Sequence, residues 1–272
     1  LLKILVPDII DYHLPMFGCF HNCVFVSIRK SYALQARRLM HAIWGAGQMA
    51  WTKMIVVVED DVNVHDEKAV MQAMANHCEF RRDLEIVNGP LDILDHASPR
   101  LGAGHKIGFD ATRVWAGEEV EGISAEEPAN ESIDKVRTTL QSIDVAVDVP
   151  DWGSGRIVFI GVEADDNSPD NVVGMIESVF DALPDWSGCV MAIDASADIM
   201  DFDMALFHMT ANMDPGRDLV WNERRLGIDA TSKPESLHRN GQPVRKWPPP
   251  ISMDSETIEF ARSYAPGSDP KA

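Results

Sequence analysis

The sequence is short of cysteine and has no long apolar run. Its four cysteines form no C-x-x-C pair and no other spacing used by zinc sites, so a structural zinc site is not expected. No signal peptide and no apolar stretch of roughly 18 residues is present, so the sequence gives no sign of export or of a membrane span. We therefore expect a reducing, cytoplasmic setting, with the protein either free or peripheral to a membrane.

Positive charge is also scarce, because 24 Lys and Arg stand against 43 Asp and Glu and give a formal net charge of −19. Nucleic acids and anionic membranes are bound by basic faces, so general binding of either is not expected. A nucleotide-binding α/β enzyme is disfavoured as well. The sequence has no P-loop, and the glycines of Gly45–Gly47 follow a helix and lack the third glycine of the dinucleotide fingerprint.

The segment Lys30–Asp66 has the order of a βαβ-type unit. Apolar positions at near-helical spacing lead to a glycine-containing break, and the apolar run Met54–Val58 then predicts a buried strand. The acidic cluster Glu59–Asp61 stands at the carboxyl end of that strand, where open α/β sheets bind ligands. The cluster predicts either a site for a ligand, cation or basic partner, or a solvated strand end before the helix cap Asp66.

Strand-like and helix-like segments alternate along the rest of the chain. The predicted strands are Cys23–Ile28, Leu84–Val87, Ile157–Val162 and Cys189–Ile193, and the predicted helices are Lys68–Ala75, Ser132–Ser142, Asp170–Leu183 and Asp203–Met213. Residues 1–22 and 88–113 are predicted to be irregular, and the composition of 114–130 favours a linker. The predicted domains are a first α/β domain (1–115), an inserted second α/β unit (116–233) and a Pro-rich tail (234–272).

Two parts of the chain repeat one another. A shift of about 135 residues places Trp51 onto Trp186, Asp66 onto Asp201, Met74 onto Met209 and Arg82–Leu84 onto Arg217–Leu219, and after a gap Gly108–Thr112 pairs with Gly227–Thr231. Any two βαβ units share apolar strands, but a shared RDL triplet and a shared G-x-D-A-T in the same order favour a duplication. The predicted fold is therefore α/β, with two tandem βαβ-type units. Because Glu59–Asp61 becomes Asp194–Ser196 in the second copy, we expect that copy to have lost any functional surface of the first.

Three pieces of the first copy carry a family resemblance. They are KSYALQARRLMHAIWG from Lys30, TKMIVVVEDDVNVHD from Thr52 and LDILDHASP from Leu91, and KIGFDATR follows from Lys106. With them, nearly all of residues 1–115 resembles the carboxy-terminal domain of the UbiD family of decarboxylases, and the second unit resembles a degenerate repeat of it. The resemblance implies reversible decarboxylation with prenylated flavin mononucleotide and a divalent metal such as Mn. The implied substrate is an aromatic acid of the hydroxybenzoate or naphthoate type, in ubiquinone or menaquinone biosynthesis.

The resemblance also implies what the chain does not carry. The family's catalytic Arg and acidic pair, and its metal-binding Asn, His and Glu, precede this domain, and no position here matches them. No catalytic and no metal-binding residue is therefore assigned. The chain begins at Leu1 without a starting Met, so we expect an inactive fragment whose flavin and metal are bound mainly upstream. The domain would then serve to close the active site and to form a homo-oligomer, with a prenyl-flavin synthase as supplier of the cofactor.

Two groups of residues are implied to lie near the active site. By resemblance, Leu91 and Ile93 face the substrate as a pocket wall, and the segment that contains Gln48, Met49 and Lys53 runs close to the flavin. Ordinary packing under a loop is the alternative for Leu91 and Ile93. A structural lysine before a buried strand is the alternative for Lys53.

The second unit departs from the family pattern. Shorter members pass directly from G-x-D-A-T-x-x-W to a G-x-x-R-x-W-P-like tail, whereas here about a hundred residues, counted from the numbering, separate Trp115 from Gly241–Pro248. A competing hypothesis is a non-catalytic oligomerisation or regulatory module, in which the second copy provides a pseudo-symmetric docking face. Exposed apolar residues on the helix that carries Phe202 and Phe207 would favour it.

Overall fold

The computed structural model of the protein describes residues 2–120, 122–163, 170–249 and 253–264. The first unit consists of α1 (Leu2–Leu5), β1 (Ile9–His13), β2 (Cys23–Ile28), α2 (Gln35–Trp44), β3 (Met54–Glu59), α3 (Glu67–His77), β4 (Leu84–Pro90) and β5 (Ala103–Asp110). The second consists of α4 (Ile133–Leu140), β6 (Ala146–Asp148), β7 (Ile157–Val162), α5 (Asn171–Ala182), β8 (Cys189–Asp194), α6 (Phe202–Asn212), β9 (Leu219–Asn222) and β10 (Arg225–Asp229). The tail contains β11 (His238–Arg239), β12 (Gln242–Pro243) and α7 (Ser255–Tyr264).

Each unit contains a five-stranded mixed sheet. The strand orders are β1-β2-β3-β5-β4 and β6-β7-β8-β10-β9. The three inner strands of each sheet run parallel, and both outer strands pair antiparallel with their neighbours. Because the second sheet repeats the order and the directions of the first, the predicted arrangement of two tandem α/β units is confirmed.

The inner strands are buried on both faces, which explains their continuous apolar sequences. All six residues of β2 are buried, and β2 and β7 have the predicted bounds. Two predictions of irregular structure are wrong. Residues 1–22 contain the edge strand β1, and residues 88–113 contain β5, which lies between β3 and β4. The reason is pairing, because β5 carries Lys106 and two glycines and reads as a strand only beside its neighbours.

One core joins the two units. The inner face of each sheet packs with α3 and α6 in a single apolar cluster, to which Phe25, Met74, Phe159 and Met209 belong. The outer face of the first sheet is covered by α2, and the outer face of the second by α4 and α5. The second unit thus completes the burial of the first, as expected for an apolar sheet face that needs a partner layer.

Reciprocal polar contacts connect the two units at equivalent positions. Glu79, after α3, accepts hydrogen bonds from Arg224 of the second unit, with Nη2 at 2.5 Å. Asp214, after α6, accepts one from the His105 backbone N–H at 3.0 Å and lies 3.0 Å from His105 Nδ1. Neither carboxylate is exposed. The close approach requires Gly216, because a Cβ there would lie 2.1 Å from His105 Nδ1.

Arg156 of the second unit caps the carboxyl end of α3 in the first. Its Nη1 donates to the carbonyls of Ala75 at 2.6 Å and Cys78 at 3.0 Å, and its Nε and Nη2 donate to Ser187. The guanidinium also lies over the ring of Phe80, 5.2 Å from its centroid. A cation at a helix carboxyl end satisfies carbonyls that the helix leaves without partners.

The predicted domain limits remain a proposal. The last strand of the first sheet ends at Asp110, and α4 begins at Ile133. Parts of the predicted tail, 250–252 and 265–272, lie outside the described residues. Within the described ranges, no helix is both long enough and apolar enough to cross a membrane.

Candidate functional site

The acidic cluster Glu59–Asp61 is engaged by arginines. Arg29 Nε donates to Asp60 at 2.6 Å, and Arg113 Nη2 donates to Asp61 at 2.5 Å. The hydrogen bond from Arg113 holds the pKa of Asp61 below its ordinary value. Asp66 caps α3 by accepting from the backbone N–H of Ala69, as the cap alternative predicts. This edge of the first sheet therefore has a structural explanation.

A buried network closes the same edge. The Lys30 ammonium lies 2.7 Å from a Glu118 carboxylate oxygen and 3.7 Å from Asp110. Burial raises the pKa of Asp110 to about 6, although Lys30 opposes the rise. Glu118 comes from the segment predicted to be a linker, so that segment folds back over the strand ends.

The corresponding edge of the second sheet is open. A cavity of about 660 Å³ is lined by Val162, Glu163, Asp194, Ala195, Ser196, Ser232, Lys233 and Pro234. Asp194 accepts hydrogen bonds from the Ser232 N–H and hydroxyl there, at 2.9 and 2.8 Å. Sequence reasoning missed this cavity, for which the signal was the small uncharged residues Ala195 and Ser196. Among the described residues, no group of three His, Cys, Asp or Glu side chains is placed to hold a metal.

The structure brings two of the three residues predicted near a cofactor into one cavity. Gln48 and Met49 belong to the 3-10 helix Gly47–Trp51, and the cavity beside them measures about 280 Å³. Its lining consists of Leu14, Phe20, His21, Gln48, Met49, Trp51, Thr52 and Asp92. We call it the Gln48 cavity. It combines an amide, a thioether and aromatic rings, a lining that suits contact with a flat, largely apolar molecule.

The two predicted pocket-wall residues point in different directions. Leu91 is 2% exposed, and a Cβ at Gly104 would lie 2.9 Å from its Cδ1, so Leu91 packs inside the fold. Ile93 is 70% exposed and Leu94 is 71% exposed, and the two residues form the turn that follows Asp92. Ile93 is therefore accessible to a ligand or another chain. Leu91 instead packs under the loop, which is the alternative role given for it in the sequence analysis.

Lys53, the third residue predicted near a cofactor, is buried between the units. Its ammonium lies 2.6 Å from Asp95 and donates to the carbonyl of Met213 at 3.0 Å. The lining of the Gln48 cavity does not include it. This position agrees with the alternative given for Lys53 in the sequence analysis, a structural lysine before a buried strand.

Long-range contacts hold the loop that carries Ile93. His96 Nε2 lies 3.0 Å from Asn212 Oδ1, and the Trp247 ring packs edge-on against His96 at 4.6 Å. From the tail, Arg245 donates to the carbonyls of Ser98 at 2.9 Å and Asp95 at 2.6 Å. The second unit and the tail thus fix the base of the loop and leave its apolar tip exposed. No local sequence pattern predicts these anchors, because their partners are distant along the chain.

The helix α6 also presents apolar side chains to solvent. Phe207 is 39% exposed, and Met204 and Met200 precede it at helical spacing with still greater exposure. Phe202 instead packs against Phe17 and Trp152. The exposed stripe Met200, Met204 and Phe207 is the observation that the competing hypothesis called for.

Comparison with known families identifies the first unit. Residues 1–111 match the model of the 3-octaprenyl-4-hydroxybenzoate carboxy-lyase C-terminal domain, UbiD_C. The resemblance inferred from the motifs is therefore confirmed for residues 1–111.

Similar proteins are much longer than the matched region. The chain is 44% identical over 119 residues to an uncharacterized protein of Archaeoglobus fulgidus, and 45% identical over 115 residues to one of Aquifex aeolicus. These matches cover 43% and 42% of this chain, but 25% and 24% of those proteins. The chain thus spans about a quarter of the length of these relatives.

Similar solved structures include two UbiD-class proteins. The enzyme HmfF from Pelotomaculum thermopropionicum, in complex with FMN, is 31% identical, with 45% of this chain and 28% of that chain covered and a TM-score of 0.38. Vanillic acid decarboxylase from Sedimentibacter hydroxybenzoicus, in open form, is 22% identical, with 41% and 24% covered and a TM-score of 0.39.

Proposed function

We propose that this chain is the carboxy-terminal, pocket-closing and oligomerisation part of a UbiD-type decarboxylase. The observation that carries the proposal is the exposed apolar tip at Ile93 and Leu94, beside the Gln48 cavity, on a unit that matches the family. In this proposal, the flavin is bound mainly by a region other than these 272 residues. The substrate is an aromatic acid of the hydroxybenzoate or naphthoate type, in quinone biosynthesis.

The residues of the chain fit one wall of a flavin site rather than a whole site. The Gln48 cavity, at about 280 Å³, is slightly smaller than the roughly 300–1,000 Å³ of ligand pockets. Among the described residues no group of three His, Cys, Asp or Glu side chains is placed to hold a metal. In this proposal, prenylated FMN and a metal such as Mn are bound mainly by a region upstream of this chain. When bound, the flavin supplies the electron sink for loss of carbon dioxide.

The contribution of the chain is shape and exclusion of water. Ile93 and Leu94 stand on a loop whose base is held by His96 and Arg245, so their position is fixed before a partner binds. An apolar wall that is already in place favours a flat ring over water without the entropic cost of ordering the loop. The protein is further proposed to work as a cytoplasmic homo-oligomer that receives its flavin from a prenyl-flavin synthase.

A non-catalytic oligomerisation or regulatory module remains the second candidate function. The stripe Met200, Met204 and Phe207 favours it, because an exposed apolar helix face is typical of a docking surface. In that case the second unit would bind another chain whether or not the first unit contacted a flavin.

The test compares the complete gene product with the 272-residue chain. Each is produced together with a prenyl-flavin synthase, and flavin absorbance and carbon dioxide release from hydroxybenzoates and naphthoates are measured. We expect a flavin-loaded, active complete product and a colourless, inactive 272-residue chain. A complete product that neither holds flavin nor releases carbon dioxide would reject the decarboxylase and leave the docking module.

Variants of the complete product test the pocket wall separately. Because one methylene-sized contact is worth about 1–3 kcal/mol, Ile93→Ser is expected to lower kcat/KM about tenfold or more. The matched control is Ile4→Ser, since Ile4 is 78% exposed in α1 and has no assigned role. Melting temperatures should not change in either variant, because both side chains face solvent. Full activity of Ile93→Ser would remove Ile93 from the wall without affecting the assignment to the family.

A further inference from the structure

The open edge of the second sheet has the same place in its unit as the closed edge of the first. The last residues of β7 and β8 pair with one another, as do the last residues of β2 and β3. Glu163, directly after β7, therefore corresponds to Arg29, directly after β2. Ala195, directly after β8, likewise corresponds to Asp60 after β3. The second unit thus has no counterpart of the ion pair between Arg29 and Asp60.

A second ion pair of the first unit also has no counterpart in the second. The shared G-x-D-A-T motif is followed by Arg113 in the first unit and by Ser232 in the second. Arg113 donates to Asp61, and Asp61 corresponds to Ser196. Each replacement is smaller than the residue it corresponds to, which explains why this edge is open. The cavity of about 660 Å³, here called the Ser232 cavity, is lined by all four replacements: Glu163, Ala195, Ser196 and Ser232.

Asp194 brings a negative charge to the Ser232 cavity. Its carboxylate is 16% exposed and accepts hydrogen bonds from the N–H and the hydroxyl of Ser232, at 2.9 and 2.8 Å. A carboxylate has about four acceptor sites, so it can accept from a further donor. No lysine or arginine of the described chain lies within 4.0 Å of Asp194 or Glu163. A partly buried carboxylate without a counter-ion favours a cationic ligand.

His208 does not supply the missing positive charge, although its Nδ1 lies 3.7 Å from Asp194. The Nδ2 atom of Asn212 donates to the carbonyl of Ala230 at 3.2 Å, and the same atom lies 3.2 Å from His208 Nδ1. Because an amide nitrogen is a donor, His208 Nδ1 acts as the acceptor and carries no proton. Burial also lowers the pKa of His208, which favours the neutral ring.

Lys233 lines the Ser232 cavity, but its charge is used inside the fold. Its ammonium lies 3.2 Å from Asp229 and 3.7 Å from Asp218, and the side chain is 1% exposed. It donates to the carbonyls of Asn212, Asp229 and Thr231, at 3.3, 2.8 and 3.0 Å. Its three N–H donors are therefore occupied. The described lining thus presents carboxylates to the cavity without a cation that balances them.

We infer that the Ser232 cavity binds a small organic cation that carries a guanidinium or a primary ammonium group, with Asp194 as its main counter-charge. The first unit shows the same chemistry, because its own guanidinium groups bind carboxylates at the equivalent edge. In the second unit the cation comes from outside the chain. The inference goes beyond the proposed function, since it assigns a ligand to the second unit and requires neither flavin nor decarboxylation.

The size and the lining of the cavity favour an organic cation over a metal ion. A volume of about 660 Å³ lies within the roughly 300–1,000 Å³ of ligand pockets. Val162, Ala195 and Pro234 offer apolar contacts to a carbon chain, and the hydroxyl of Ser196 can accept a further hydrogen bond. Among the described residues no group of three His, Cys, Asp or Glu side chains is placed to hold a metal.

The test follows the backbone amide signals of Ser196 and Ser232 by proton–nitrogen NMR in the 272-residue protein. Butylguanidinium chloride, butylammonium chloride and uncharged butylurea are added separately at constant ionic strength. We expect saturable shifts with at least one of the two cations and none with butylurea at the same concentrations, because butylurea has a similar shape without the charge. Saturation by butylguanidinium alone identifies a guanidinium ligand, and saturation by butylammonium alone identifies an amine.

A charge-removing variant tests whether Asp194 is the counter-charge. Asp194→Asn keeps an oxygen that can accept from Ser232, so we expect it to fold, but the loss of a charge-assisted hydrogen bond should lower the affinity about tenfold or more. The control Asp181→Asn removes an exposed carboxylate of α5 with the same change in net charge, and it should bind as the wild type does.

A double variant copies the ion pair of the first unit into the second. Glu163→Arg together with Ala195→Asp introduces the counterparts of Arg29 and Asp60, whose side chains should fill the cavity and abolish the saturable shifts. Melting temperatures show whether each variant folds, and the double variant decides the question if Asp194→Asn does not. The inference is overturned by the absence of a saturable shift with either cation, by equal binding of butylurea, or by undiminished binding in a folded Asp194→Asn or double variant.

Discussion

Replacing Lys106 with methionine should stabilise the protein at neutral pH. Burial lowers the pKa of Lys106 from 10.5 to about 8. Because a tenfold change in an equilibrium corresponds to about 1.4 kcal/mol, holding this ammonium in the fold costs roughly 3 kcal/mol below pH 8. The variant also loses the hydrogen bond to the Ala50 carbonyl, worth about 1 kcal/mol. The expected net gain in the free energy of unfolding is about 1–3 kcal/mol.

The gain should depend on pH in a defined direction. The unfolded chain keeps the lysine proton up to about pH 10.5, whereas the folded protein keeps it only up to about pH 8. Between these values the unfolded state binds more protons, so the stability of the wild type rises with pH. The advantage of Lys106→Met is therefore full below pH 8 and disappears as the pH approaches about 10.5.

Urea unfolding of both proteins at several pH values between about 7 and 10 measures this difference. Other titrating groups contribute equally to wild type and variant, so the difference between them isolates Lys106. Lys135→Met serves as the control and should differ from the wild type by less than about 0.5 kcal/mol at each pH. A variant that is less stable at pH 7, with a difference that does not change with pH, would refute the reasoning. Lys106 would then have an effective counter-ion in the folded protein.

Two further predictions concern the contact between the units. Arg156→Met leaves the carbonyls at the end of α3 without their donors. We expect it to lower the free energy of unfolding, measured by urea titration, by about 3–5 kcal/mol. A decrease of less than about 1 kcal/mol would contradict the capping role. Gly216→Ala places a Cβ 2.1 Å from the His105 ring and should lower the free energy of unfolding by about 1–3 kcal/mol. The control is Gly174→Ala, whose Cβ in α5 would meet no atom within 4 Å. The control should leave the free energy of unfolding unchanged or raise it by up to about 1 kcal/mol. Equal melting temperatures for the two glycine variants would show that the His105 contact contributes nothing.

Part of the candidate site could be predicted because it lies within short stretches of sequence. The segment between the first two motifs, which contains Gln48 and Met49, lies at one cavity, and the motif that carries Ile93 has an exposed tip next to that cavity. The same motif could not separate Ile93 from Leu91, because burial of a loop residue depends on what packs beneath it. Lys106 was not identified from the sequence for a related reason. Whether a carboxylate lies beside its ammonium depends on which residues surround it in the folded protein.

The sequence by itself determined four of the inner strands, β2, β3, β7 and β8, and the cap at the start of α3. The run Cys23–Ile28 is apolar throughout because both of its faces are covered, and Asp66 caps α3 through a contact three residues away. Such signals are local, so neighbouring residues are enough to read them. The repeat of about 135 residues likewise predicted two similar units, because duplicated sequences keep their pairing preferences.

Only the tertiary structure decided how those units meet and which charges stay unpaired. Lys53 donates to a carbonyl 160 residues away, and Glu79 receives Arg224 from 145 residues away. It also decided that the edge of the first sheet is closed by ion pairs while that of the second is open, a difference that the sequence did not predict. The physical reason is that the energy of a charge or an apolar face depends on the groups packed against it, and distant chain segments supply those groups only after folding.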